Sequence, residues 1–287
     1  MPIYRSERWF QAGLALFFIV MGIIMLVPML HVIALSLSDS HHATTGHIGL
    51  LPQGFTLDSY KKIMGETRIW RSLGVTVYIT VLGTLISLFF TSTLAYALSR
   101  PRMPGKPLIM KGIVITFIFS VPLIPYFLTV NSLHMLNTLW SIMLPTALGA
   151  FNVIIMKTFF QGLSSEIFDA GSIDGCSEFG IFYRLAIPLS KPVFATIGLF
   201  HAVGQWNSYF YALIFIRSKE LYPIQIVLRG MIVNADMAGW VVNVDTTYSA
   251  ETLQAGVIIV AILPIVAVYP FLQKYFVKGA YVGSLKE

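Results

Sequence analysis

Three groups of residues have types and spacings that could do chemistry. The first runs from Ser164 to Pro192 and reads SSEIFDAGSIDGCSEFGIFYRLAIPLSKP. Ser164 or Ser165 can cap a first helix, and Glu166 and Asp169 suit its positive N-terminal end. Gly175 can supply the positive φ, or the close approach, that breaks that helix. Ser177 can cap a second helix with Glu178 in its first turn, and Pro188 is expected to end it soon after Ala186. Such a helix, glycine turn and helix is suited to docking into another protein; the bland alternative is a loop lying on a membrane surface. The second group is His201, Gln205, Trp206, Asn207, Tyr209 and Tyr211, with Asn152 further upstream. Rings and amides of this kind can hold a ligand with flat apolar faces and hydroxyls, but Trp and Tyr are also common where helices meet the bilayer interface. The third is Asp39, His41, His42 and His47. It has metal-ligating types but no fixed ligand spacing, and a solvated loop accounts for it better, so no metal site is assigned.

The elements that must position these groups are membrane helices. The chain has 287 residues, 56% of them hydrophobic and 11% charged, against roughly 25% charged in an ordinary soluble domain. Lipid must therefore solvate much of the surface. A spanning helix needs about 20 mostly apolar residues, and six stretches meet that test: 12–37, 73–98, 109–130, 140–160, 193–216 and 255–271. LALFFIVMGIIMLVPML is continuously apolar, which excludes the alternating strands of an outer-membrane barrel. The expectation is an all-α integral membrane protein with about six spans, forming one transmembrane domain over 1–287.

Charge orients the bundle. With both termini cytoplasmic, twelve of the nineteen Lys and Arg fall inside, against six of the thirteen acids. The positive excess then lies wholly on one face, as the positive-inside rule requires. The 161–192 segment becomes a cytoplasmic loop, and the loops at about 38–71 and 217–253 lie outside. Cys176 is the only cysteine, so no intrachain disulfide can form. No GxxxxGK[ST] phosphate loop is present, so the chain carries no nucleotide-binding domain of this type. The basic balance reflects topology, and no nucleic-acid partner is expected.

The cytoplasmic segment resembles the EAA loop of ABC-importer permeases: E-A-A, three residues, G, nine residues, I-x-L-P. Here Asp169, Ala170 and Gly171 are followed at the same spacing by Gly175, Leu185, Ile187 and Pro188. Asp stands for the leading Glu and Gly for the second Ala, which lowers helix propensity. FTLDSY at 55–60, LAYALSR at 94–100 and Trp206-Asn207 are similar to the carbohydrate branch of the family, in particular its maltose-permease-like second subunit. YFVKGAYVGSL at 275–285 looks like the branch that moves complex oligosaccharides such as alginate and pectin fragments.

The resemblance implies the type I permease fold in a bacterial cytoplasmic (inner) membrane. It implies a second, different permease, two ATPase subunits that bind the ATP and Mg, and an external solute-binding protein that delivers sugar. This chain would carry no cofactor and catalyse no reaction. Glu166, Asp169, Ala170, Gly171, Asp174, Gly175 and Pro188 would form the ATPase-coupling surface. Asn152, His201, Trp206, Asn207, Tyr209 and Tyr211 are candidates for the sugar path. An ABC permease for a peptide or polyamine is the nearest alternative. A membrane-embedded enzyme or a secondary transporter would need acids or a catalytic set within the spans, and the six stretches contain no Asp or Glu.

Overall fold

A computed structural model describes residues 5–46, 48–233 and 249–284. Every regular element among them is helical. In chain order these are α1 (Arg5–Ser36), α2 (Ser40–Thr44), α3 (Asp58–Gly65), α4 (Thr67–Ser99), α5 (Lys106–Ile118), α6 (Leu123–Ser132), α7 (Trp140–Met143), α8 (Ala150–Gln161), α9 (Ser165–Ile173) and α10 (Glu178–Ile181). A π-helical turn, Phe182–Ala186, leads into α11 (Ile187–Leu189) and then α12 (Lys191–Trp206). The series closes with α13 (Phe210–Phe215), a 3₁₀ turn (Lys219–Leu221), α14 (Ile224–Val233) and α15 (Ala250–Ser284).

Three helices are long and apolar enough to cross a membrane unaided: Trp9–Ser36, Thr67–Ser99 and Ala250–Val268. A fourth arises if Glu178–Leu189 and Lys191–Trp206, which meet at 80°, form one bent span. The expected stretches 109–130, 140–160 and 193–216 are interrupted, each for a local reason. Residues 119–122 separate α5 from α6, where Phe119 turns extended (φ −106°, ψ 111°) and Pro122 offers no amide. Pro145 and Gly149 lie in the irregular stretch between α7 and α8, and Asn207 ends α12 (φ −87°, ψ 12°). By contrast Pro28 sits inside α1, and Pro264 and Pro270 inside α15, without interrupting either helix. The 255–271 stretch proves to be part of a 35-residue helix that takes in the expected C-terminal tail.

The chain packs as two compact units. One comprises Met1–Trp70 and Val227–Leu263. Within it the end of α1 is tied to the following loop: Ser38 Oγ donates to the Ala34 carbonyl (2.7 Å), and the Gln53 amide donates to Ser38 Oγ (3.0 Å). Ser36 Oγ lies 2.8 Å from the Tyr60 hydroxyl. The other unit comprises Arg71–Ile226 and Pro264–Glu287. Its core gathers Tyr96 and Leu98 of α4, Met156 and Phe160 of α8, Phe168 of α9, Ile181 and Phe182 after the turn, and Val193 and Ile197 of α12. That core lies beneath the whole 164–190 segment and fixes its position.

Candidate functional site

Local sequence builds the caps and turn of the 164–190 segment as expected, and the structure adds the detail. Ser164 caps α9 by accepting from the Glu166 amide (3.3 Å), and Ser177 caps α10 by accepting from the Gly180 amide (3.2 Å). Between them Gly175 adopts φ +80°. The Cys176 amide donates to the Gly171 carbonyl (3.0 Å) and the Gly175 amide to the Ser172 carbonyl (3.1 Å). These two bonds are the Schellman closure of a helix by a left-handed residue.

The two glycines do different work. A Cβ on Gly175 would meet nothing within 4 Å, so its requirement is the backbone angle alone. The close approach belongs to Gly171, where a Cβ would stand 2.8 Å from Leu185 Cδ1 and 3.4 Å from Ile181 Cγ1. Pro188 does not end the second helix where expected. The chain stays helical to Leu189 and bends at Ser190 (φ −103°, ψ 13°). The preceding π turn, with the Ile187 amide bonded to the Phe182 carbonyl, shifts the ladder by one residue ahead of the proline.

The segment has two faces. Phe168 and Gly171 are buried against the core, whereas Glu166, Asp169, Ala170, Asp174 and Gly175 are exposed, as is Pro188. Large apolar side chains share that outer surface: Ile173 is 86% exposed and Phe179 74%. Sequence reasoning did not single these two out. The available signal was two bulky apolar residues flanking a turn of acids, glycine, cysteine and serine.

The membrane-side candidates divide between two cavities. Asn152, His201, Asn207, Tyr209 and Tyr211 line one of about 450 Å³, together with Thr146, Gln205 and Ser208. Trp206 does not join them. It is buried and lines a cavity of about 520 Å³ walled by Val77, Val81, Leu85 and Val268. His201 is 9% exposed and is engaged at both ring nitrogens. Nε2 donates to the Thr146 carbonyl (3.2 Å), while Nδ1 lies 3.5 Å from Thr84 Oγ1. Gln205 Nε2 donates to Thr146 Oγ1 (2.7 Å). His201 thus satisfies a backbone carbonyl in the break between α7 and α8, as irregular backbone at membrane depth requires, and Gln205 holds the Thr146 hydroxyl beside it. Asn152, Asn207 and Tyr209 also line this cavity, and Asn207 Nδ2 donates to the Val203 carbonyl (2.9 Å). Tyr211 stacks on Phe215, with ring centroids 5.9 Å apart and planes 6° apart.

In the extramembrane loop, Asp39 caps α2. Its Oδ1 accepts from the His42 amide (2.8 Å) and contacts His42 Nδ1 (2.9 Å). Hydrogen bonds from the His42 amide and ring hold the Asp39 carboxyl below the usual carboxylate range. Among the described residues no three metal-ligating side chains converge, and His47 lies outside those residues.

An all-α membrane bundle with a rigidly backed, outward-facing helix–turn–helix and an uncharged internal cavity is the architecture of a transport permease. Residues 94–280 match the family described as binding-protein-dependent transport system inner membrane component, and the chain belongs to that family. It is 42% identical to "Protein LplC" of Bacillus subtilis (strain 168), over 98% of this chain and 96% of that one. It is 41% identical to the "Polygalacturonan/rhamnogalacturonan transport system permease protein YtcP" of the same organism, over 98% and 99%. Among solved structures it resembles a chain from the "Crystal structure of a bacterial ABC transporter involved in the import of the acidic polysaccharide alginate". That likeness has a TM-score of 0.88 at 34% identity and covers 96% of this chain and 100% of that one.

Proposed function

We propose that this chain is one permease subunit of an ATP-driven oligosaccharide importer in the bacterial inner membrane. It is read as a single transmembrane domain of six spans with both termini cytoplasmic. It works beside a second, different permease, two ATPase subunits that hold ATP and Mg, and an external sugar-binding protein. The chain itself makes and breaks no substrate bond. ATP-driven closure of the ATPase pair moves α9, and the spans swing between inward- and outward-open states.

The observation that carries the reading is the two-faced α9–α10 segment. Its inner face is locked by Phe168 and Gly171, while its outer face offers Glu166, Asp169, Ala170 and Ile173 to a partner. A rigid knob of this kind transmits force, whereas a loose loop would absorb it. The cavity beside Asn152, Asn207, Tyr209 and Tyr211 supports a sugar as cargo, since amides bond hydroxyls and rings stack on apolar sugar faces. The names of the relatives favour sugar over peptide or polyamine.

The test places a thiol-reactive cross-linker on Ile173→Cys, with Cys176→Ala, in inside-out native vesicles. Capture of an ATPase subunit, with a yield that changes on adding ATP, is the expected result. Efficient labelling from the cytoplasmic side without ATPase capture would overturn the coupling role. Labelling only from the outside would overturn the orientation.

A further inference from the structure

Arg100 follows the last residue of α4 and closes the LAYALSR stretch. In the structure its side chain is 23% exposed and reaches both limbs of the helix–turn–helix. Nη2 donates to Glu178 Oε2 (3.0 Å) and to the Tyr96 hydroxyl (2.7 Å), and that hydroxyl in turn donates to the same carboxylate oxygen (3.1 Å). The guanidinium carbon lies 4.3 Å from the ring centroid of Phe168 and 4.8 Å from that of Tyr96. Phe168 belongs to α9, before the glycine turn, and Glu178 to α10, after it. Tyr96 roots the arrangement in α4 and packs edge-on or tilted against Phe160, Phe168 and Phe182.

Two features separate this cluster from an ordinary surface ion pair. The pair combines unequal partners, since Glu178 is 72% exposed and Arg100 largely covered. Arg100 Nε is buried with no hydrogen-bond partner, an arrangement that costs free energy and survives only where packing dictates the side chain's course. A planar guanidinium can stack on rings and bond in its own plane at once, which a lysine cannot do. The result is one side chain, anchored at the end of a spanning helix, that grips the coupling segment on either side of its turn.

We propose that Arg100 is the positioning residue that carries displacement of the coupling segment to α4, so that ATP-driven movement of α9 becomes movement of a span. The proposal rests on the coupling reading above. Without this grip α9 can still meet its partner, but the limb after the turn loses its tie through Glu178 to the end of α4.

The test uses the complete importer with its binding protein, reconstituted in liposomes, with sugar imported per ATP hydrolysed as the readout. In Arg100→Ala that ratio falls by roughly tenfold, inside the range typical of coupling between sites, while ATP hydrolysis persists and loses its dependence on the binding protein. Arg100→Lys keeps a charge near Glu178 but stacks less well on Phe168, and recovers part of the ratio. Glu178→Gln preserves shape on an exposed side chain, so it tests the link with little risk to folding; it lowers the ratio less than Arg100→Ala, and the double variant is no worse than Arg100→Ala alone. An unchanged ratio in both Arg100→Ala and Glu178→Gln, whatever happens to the yield of assembled complex, overturns the proposal and leaves Arg100 as packing. Failure of the Ile173 cross-link in the unsubstituted chain would instead strike the coupling reading itself.

Discussion

The 164–190 segment and the cavity beside His201 belong to the same compact unit, yet they solve the problem of polar groups in opposite ways. The segment uses charge: Arg100 pairs with Glu178, and Glu166, Asp169 and Asp174 face outward. Water nearby keeps such charges inexpensive, and a pair between exposed groups is worth little by itself. The named lining of the cavity holds no Asp, Glu, Lys or Arg, and its network of His201, Gln205, Thr146 and Thr84 works through neutral hydrogen bonds. A charge at that depth would be costly, whereas an amide or imidazole that completes a broken helix repairs a cost already present. On the proposed function, charge therefore serves the surface that would meet a partner, and neutral polarity the place that would let cargo pass.

His201→Ala breaks the neutral half and has the largest expected effect. It leaves the Thr146 carbonyl without its 3.2 Å partner and opens a void beside the α7–α8 break. Thr146 is half-buried, so its lost acceptor bond costs about 1 kcal/mol, the low end for an unsatisfied group, and the void adds to that, for a total of about 2–3 kcal/mol. Thermal unfolding of the purified complex should show it as a lowered Tm. Gln205→Leu, which fills its own space and loses one bond to Thr146 Oγ1, should cost about 1 kcal/mol. An unshifted Tm for His201→Ala would mean that the ring repairs nothing, and would return it to the list of free cargo contacts.

A smaller effect sharpens the other half, through two glycines four positions apart. At Gly175 an alanine meets open space but must hold φ +80°, which costs an L-residue roughly 1–2 kcal/mol. Gly175→Asn should recover much of that, since asparagine tolerates the left-handed region. At Gly171 an alanine gains up to about 1 kcal/mol of helix propensity but must displace the flexible end of Leu185, 2.8 Å away. Gly171→Ala should therefore sit near neutral, while Gly171→Leu drives α9 off the core. Import rates should rank unsubstituted and Gly171→Ala first, then Gly175→Asn, Gly175→Ala and Gly171→Leu. Equal losses from the two alanine variants would erase the distinction between turn and contact.

These pairs also show what the sequence makes legible. The caps at Ser164 and Ser177 and the turn at Gly175 depend on neighbours a few positions away, and each could be read from one short string. Of the two needs that Gly175 could serve, a positive φ or a close approach, the structure shows the first, and the close approach is made at Gly171 by Leu185, fourteen positions further on. Arg100 and Glu178, far apart in sequence, meet only through the aromatic core, and no local pattern announces that. The continuous spans show the same limit. Proline interrupts the helices at Pro122 and Pro145 but not at Pro28, Pro264 or Pro270, because the outcome depends on what else can satisfy the freed carbonyl. Trp206 and Asn207 are adjacent in sequence but serve different cavities, as consecutive positions at the end of a helix point about 100° apart.

The smallest effect concerns the extramembrane loop, where charge is again permitted but no deep cluster such as Tyr96–Phe168 backs it. Asp39 accepts from the His42 amide and contacts the His42 ring at the start of α2, and these bonds lower its carboxyl's affinity for protons. A group whose folded-state pKa is depressed contributes stability above its unfolded value, near 3.9, and loses that contribution as pH falls through the folded value. Amide-exchange protection at His42 and Ala43 should therefore stay level from neutral pH down to about 4 and decline only below it. Asp39→Asn keeps a good capping side chain but removes the titrating group, so its protection should show no acid step. An acid step that persists in Asp39→Asn would assign the control to a group other than this carboxyl.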